Sequence, residues 1–177
     1  MINIESSSRI YLLDTTLRDG AQTQGVDFNP SDKAMIARGL NELGIDYVEG
    51  GWPGANLVDD AFFAAPPDME RAKLAAFGMT RRPGRSVEND PGLAAVLSSK
   101  ANCVVMVGKT WDYHVDVALN IERDENVQMI LDSVEYASSK SKEVMFDAEH
   151  FFDGYKSNPS FAMECLKAAI DSGARWV

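Results

Sequence analysis

Apolar and polar positions along this chain alternate between two periods, and the switch between them repeats at a steady stride. Short runs rich in β-branched and aromatic residues read as buried strands at Ile10–Asp14, Tyr47–Gly50, Leu74–Met79, Cys103–Gly108 and Val144–Ala148. A sixth opens at Arg175-Trp176-Val177. Between these runs the apolar residues fall at helical spacing. Ile36, Leu40 and Leu43 make one face behind a cap at Ser31 or Asp32, and Gly44 stops that helix. A short second helix covers Asp59–Ala65 and ends before Pro66, and a weaker third runs through Leu93, Val96 and Leu97. Val127, Ile130, Leu131 and Val134 mark the fourth, with Asp124 or Asn126 as its cap. The fifth follows Pro159, carries Phe161, Cys165, Leu166, Ala169 and Ile170, and closes at Gly173.

The strand-to-strand interval, on the order of 30 to 40 residues, is that of a β-α unit. No linker or low-complexity stretch interrupts it, so residues 9–177 read as one domain behind an N-terminal extension of residues 1–8. A doubly wound sheet and a (β/α)8 barrel both accept this string. The doubly wound reading is disfavoured because the first strand runs into an arginine and two acids, not into a glycine-rich phosphate cradle. A complete barrel takes about 250 residues, whereas these 177 supply five βα units and the start of strand six. Val177 falls inside an apolar strand pattern. The expected fold is therefore α/β, an incomplete TIM barrel in a truncated chain, with open strand edges and poor solubility in isolation.

The residues after each strand carry the chemistry. The first strand leads into Asp14, Arg18 and Asp19, the second into Glu49 and then Gly50-Gly51-Trp52-Pro53-Gly54. The third leads into Thr80-Arg81-Arg82, the fourth into Lys109-Thr110-Trp111, and the fifth into Asp147, Glu149 and His150. In a parallel barrel these ends share one face. Charges gathered there are costly to bury unless each finds a partner, a metal or a substrate. Each piece also has a plainer reading. Asp14 can cap a turn, Asp19 before Gly20 can be a turn residue, and Arg18 with Glu49 can be a structural ion pair. Asp147 and Glu149 are two apart and leave the strand on one side, which suits acid/base work if that side is the interior. His150 has the other parity and reads as structural, and His114 as a surface or supporting residue. Arg81, Arg82 and Arg85 could grip phosphates, though a solvated loop accounts for them as well.

Composition narrows the partners. A formal net charge of −10 argues against nucleic acid. The two cysteines, Cys103 and Cys165, have no framework spacing and suit a reducing compartment. No apolar run approaches the roughly 18 residues that cross a bilayer. The N-terminal residues Met1 to Ser8 lack a signal-peptide pattern, so a cytoplasmic location without membrane partners is expected.

The segment Asp14-Thr-Thr-Leu-Arg-Asp-Gly-Ala-Gln22, followed by Val48-Glu49-Gly50-Gly51-Trp52-Pro53-Gly54-Ala55-Asn56, resembles the DRE-TIM metallolyase superfamily. Gly20–Gly25, Gly108–Val115 and Asp147–Lys156 resemble its citramalate synthase branch. The resemblance runs from about Arg9 to the end. It implies a divalent-metal-dependent acyltransferase that condenses acetyl-CoA with pyruvate to (R)-citramalate, a step of isoleucine biosynthesis. It also implies a homodimer at full length. Relatives acting on another 2-oxo acid, such as 2-isopropylmalate or homocitrate synthases, and a non-catalytic half-barrel remain as alternatives. By the same resemblance Asp19 is a ligand of Mg, Mn or Zn, with the remaining ligands beyond Val177. Arg18 donates to the keto oxygen and Glu49 holds it. Glu149 serves acid/base chemistry, Asp147 and Thr80 contact substrate, and Asp14 and Gln22 support the site. With the metal site incomplete, the piece by itself is expected to be inactive.

Overall fold

Parallel pairing in the order β1-β2-β3-β4-β5 builds one five-stranded sheet, an open half of a TIM barrel, in a computed structural model that describes residues 9–140 and 142–177. The proposed extension, residues 1–8, lies outside the described residues. The strands are β1 (Leu13–Asp14), β2 (Tyr47–Gly51), β3 (Lys73–Met79), β4 (Cys103–Lys109) and β5 (Glu143–Glu149). Helices α1 (Pro30–Leu43), α2 (Leu57–Ala64) and α3 (Pro91–Ser98) connect the early strands. After β4 come α4 (Asp112–His114, running into a π turn at Val115–Leu119) and α5 (Arg123–Ser139). After β5 come α6 (Phe151–Ser157) and α7 (Pro159–Asp171). The start of a sixth strand is present: Trp176 bridges Met145 and accepts from the Phe146 amide at 2.9 Å.

Strand parity divides the core. Val48, Leu74, Ala76, Val104, Met106, Val144 and Phe146 face the helices, where Phe62, Leu93, Ile130, Val134 and Phe161 cover them. Tyr47, Ala75, Phe77, Cys103, Val105, Val107 and Met145 line the opposite, inner face, with Trp52 and Trp176 packed against them. This is the period-two alternation of strands buried on both sides. Cys103 and Cys165 are free, and burial pushes both thiols up to about 12, so neither is a ready nucleophile. Among the described residues no helix is long and apolar enough to cross a membrane.

Three sequence expectations are corrected here. The first apolar run is not a buried strand along its length: only Leu13 and Asp14 pair with β2, and Ile10 is 81% exposed. Its other edge meets no strand among the described residues. Helix α1 is capped by Asn29, not by Ser31 or Asp32. The Asn29 side chain accepts from the Ser31 and Asp32 amides, Asp32 returns the bond, and Pro30 opens the helix. Helix α5 begins after Glu122 with no side-chain cap, and Asn126 instead donates to the Lys109 carbonyl at 2.9 Å. Helices α4 and α6 are too short to show apolar periodicity, which is why the sequence pattern passes over them.

An Asx-Pro pair precedes α1, α3 and α7, at Asn29-Pro30, Asp90-Pro91 and Asn158-Pro159. Asp90 is buried and accepts from the Leu93 amide at 2.9 Å and the Arg82 amide at 2.8 Å. Burial alone would raise its carboxyl. The Leu93, Arg82 and Gly92 amides overcome that and leave it below the usual aspartate value. We expect Asp90→Ala to cost about 1–2 kcal/mol in urea unfolding at neutral pH. A depressed folded-state pKa means this stabilisation is present above the unfolded value and is lost as pH falls through the folded one. The difference from wild type should therefore shrink in acid.

Candidate active site

The site begins with the turn after β1. The amides of Arg18, Asp19 and Gly20 all point at the Thr15 carbonyl, at 3.1, 2.9 and 3.1 Å. Asp14 accepts from the Thr16 amide at 2.9 Å, so it is the turn cap that its sequence position allowed. This tight turn drives Leu17 into the core and sends Arg18 the other way, across the inner face. There the Arg18 Nε donates to Glu49 Oε2 at 2.8 Å, and its guanidinium lies over the Phe77 ring at 4.1 Å. Asp19 sits beside it, 3.4 Å from Arg18 Nη1, with its carboxylate largely exposed.

Glu49 belongs to the inner face of β2 and is 1% exposed. Burial pushes its carboxyl up. The Arg18 charge and hydrogen bond oppose that, while Asp147 and Asp19 add to it. Its second oxygen, Oε1, is buried and has no partner among the described residues. A buried acceptor left this way costs free energy.

The other half of the site comes from β4 and β5. The register sets Asp147 against Val107 and Glu149 against Lys109. All four share the odd parity of Val105 and Met145, so both carboxylates face inward. The Lys109 ammonium pairs with the Glu149 carboxylate, and the Thr110 hydroxyl donates to the Glu149 carbonyl at 2.8 Å. Asp147 is exposed at the open end of β5. Partial desolvation there raises its carboxyl, Arg18 lowers it, and Glu149 and Asp19 raise it again. Those mutual influences place Arg18, Asp19, Glu49, Asp147 and Glu149 in one electrostatic cluster at the C-terminal end of the sheet.

A cavity of about 200 Å³ opens beside this cluster, bounded by Trp52, Met79, Thr80, Val107, Lys109 and Glu149. Thr80 is buried in its wall and donates its amide to the Val107 carbonyl at 3.2 Å. Gln22 lies in a separate groove with Arg18, Lys33 and Asp59, and Trp52 lines both. His114 and His150 stack edge-on at 4.6 Å against each other, next to Trp111, and not in the cluster. Arg81 is not a solvated loop residue. It is buried, with Nε on Asp132 and Nη1 on Glu125, each at 2.8 Å. Lys109 was legible only as a charged strand end. That it neutralises Glu149 follows from both residues closing adjacent parallel strands.

Among the described residues no three histidine, cysteine, aspartate or glutamate side chains come together to hold a metal. Asp19 offers one exposed carboxylate, and the described residues do not by themselves assemble the expected divalent-metal site.

The HMGL-like family model matches residues 9–177. The chain belongs to the HMGL-like family. It is 49% identical over 173 residues to an (R)-citramalate synthase of Aquifex aeolicus, covering 97% of this chain and 33% of that protein. A second (R)-citramalate synthase, of Geobacter sulfurreducens, is 47% identical over 94% of this chain and 32% of its own length. Proteins described as 2-isopropylmalate synthases match at 30 to 34% identity. The fold is similar to hydroxymethylglutaryl-CoA lyase from Pseudomonas aeruginosa, with TM-score 0.70 and 18% identity over 94% of this chain and 55% of that one. The chain spans about a third of the length of the curated relatives it matches.

Proposed function

We propose that the full-length protein is an acyltransferase that condenses acetyl-CoA with pyruvate to (R)-citramalate, serving isoleucine biosynthesis. The observation that carries this reading is the Arg18–Glu49 pair, laid across the inner face beside two inward carboxylates. In the reaction the acetyl methyl loses a proton and its carbon bonds to the keto carbon of pyruvate. Negative charge then builds on the keto oxygen before it takes up a proton, and water releases CoA. Arg18 has its Nε engaged by Glu49 and its Nη1 weakly by Asp19 at 3.4 Å, and the N–H groups that remain would donate to that oxygen. Phe77 beneath the guanidinium holds its plane. Glu149 and Asp147 are the carboxylates within the cluster that can move the methyl proton. Asp147 is solvent-exposed, and partial desolvation raises its carboxyl above the usual aspartate value, whereas Glu149 is held by Lys109. Thr80 and the cavity wall would receive the substrate. Asp19 is assigned as one of the ligands of a divalent metal, Mg, Mn or Zn. When bound, that metal would polarise the keto acid.

The test is an assay of the full-length protein with pyruvate, 2-oxoisovalerate and 2-oxoglutarate, each with acetyl-CoA, following free thiol. Pyruvate should give the highest kcat/KM. A preference for either longer acid assigns the protein to the isopropylmalate or homocitrate type. No thiol release with any of the three overturns the acyltransferase reading.

A further inference from the structure

Behind the Arg18–Glu49 pair lies a second, fully buried ion pair. Lys33, on α1, is 3% exposed. Its ammonium donates to the Leu17 carbonyl at 2.8 Å, to the Gly50 carbonyl at 3.0 Å, and to Asp59. All three of its protons are therefore used, which is the condition for keeping an ammonium out of water. The two carbonyls are those next to the catalytic pair: Leu17 precedes Arg18 and Gly50 follows Glu49. One ammonium thus ties the turn after β1, at the peptide that leads into Arg18, to the end of β2 one residue beyond Glu49.

Asp59 grips the same segment from the other side. Its Oδ2 accepts from the Trp52 amide at 2.8 Å and from Asn56 Nδ2 at 2.9 Å. Trp52 in turn packs edge-on against Phe77, with ring centroids 5.3 Å apart, and Phe77 is the ring on which Arg18 rests. Two contacts therefore lead from this buried pair to the guanidinium, one through the backbone and one through aromatic packing. An apolar residue at position 33 could fill the space. It could not hold two carbonyls in register.

From this juxtaposition we propose that Lys33 is a positioning residue for the reaction, acting through Arg18 and braced by Asp59. The inference rests on the acyltransferase reading, since it assigns Lys33 no contact with substrate. A positioning role spends its effect on the transition state, because Arg18 is needed most where charge develops.

The test is a double-mutant cycle in the full-length enzyme, using Lys33→Met and Arg18→Lys, with unfolding monitored in parallel. Lys33→Met should lower kcat about 10- to 100-fold while the KM for the 2-oxo acid moves less than about threefold. In the Arg18→Lys background the same change should cost less than about threefold, because the group it serves is already displaced. A folded Lys33→Met enzyme with wild-type kcat overturns the proposal, as do losses that multiply across the cycle. If Lys33→Met is insoluble, the charge-neutral pair Lys33→Met/Asp59→Asn is read in the same way. Insolubility of both, with Arg18→Lys soluble, makes Lys33 purely structural and also overturns it. The cycle is run on whichever 2-oxo acid the wild type uses. A wild type without activity therefore counts against the acyltransferase reading, and an unresponsive Lys33 against this one.

Discussion

On the proposed acyltransferase reading, replacing Arg18 by Gln in the full-length protein should lower kcat about a thousandfold, with little change in the KM for the 2-oxo acid. The expectation follows from what the guanidinium can and cannot do before reaction. With its Nε on Glu49 and its plane on Phe77, Arg18 presents its remaining N–H groups in a fixed direction. A neutral keto oxygen gains little from them. The oxygen gains most once the new carbon–carbon bond has pushed charge onto it. Loss of one preorganised oxyanion donor costs about 10²–10³ in kcat. A cationic donor in a partly dry site belongs at the upper end, about 4 kcal/mol of barrier. Gln keeps polar reach but not charge. Steady-state kinetics that show kcat within tenfold of wild type would remove Arg18 from the chemistry. The variant also leaves Glu49 buried without its cation, so its unfolding midpoint should be measured beside the kinetics.

The second large effect is expected at Gly51, where substitution by Ala should destabilise the protein by about 2–4 kcal/mol. Gly51 closes β2 at φ +143°, a conformation side chains rarely adopt. A Cβ there would lie 2.5 Å from the Asp59 carboxylate. That carboxylate cannot step aside, because Lys33, Trp52 and Asn56 hold both of its oxygens. The strain would be relieved by moving the end of β2, so activity should fall along with stability. Urea unfolding reads the first effect and thiol release the second. A stability change below about 1 kcal/mol would mean that this corner is softer than its hydrogen bonds imply.

Much of this was open to inspection in the chain itself. The alternation of periods announced five βα units, and parity alone set Asp147 and Glu149 on one side of β5. The Arg18–Glu49 pairing was available as an ion pair between neighbouring strands, because a buried arginine at a strand end must find a carboxylate. Other features were hidden for definite reasons. Lys33 sits in an amphipathic helix where a lysine normally means solvent, and only the docking of α1 against two strand ends turns it inward. Arg81 looked like part of a basic loop until α5 brought Glu125 and Asp132 over it.

What the sequence determined by itself is the succession of five βα units, the inner and outer faces, and which charges end each strand, since all three follow from local spacing. What only the tertiary structure decided is which charges meet. Lys109 with Glu149, Lys33 with Asp59, and Arg81 with two acids of α5 are each separated by 26 or more residues. Their pairing depends on strand register and helix docking, and neither is written in any local window. The same holds for Glu49 Oε1, whose burial without a partner among the described residues is a property of the assembled sheet.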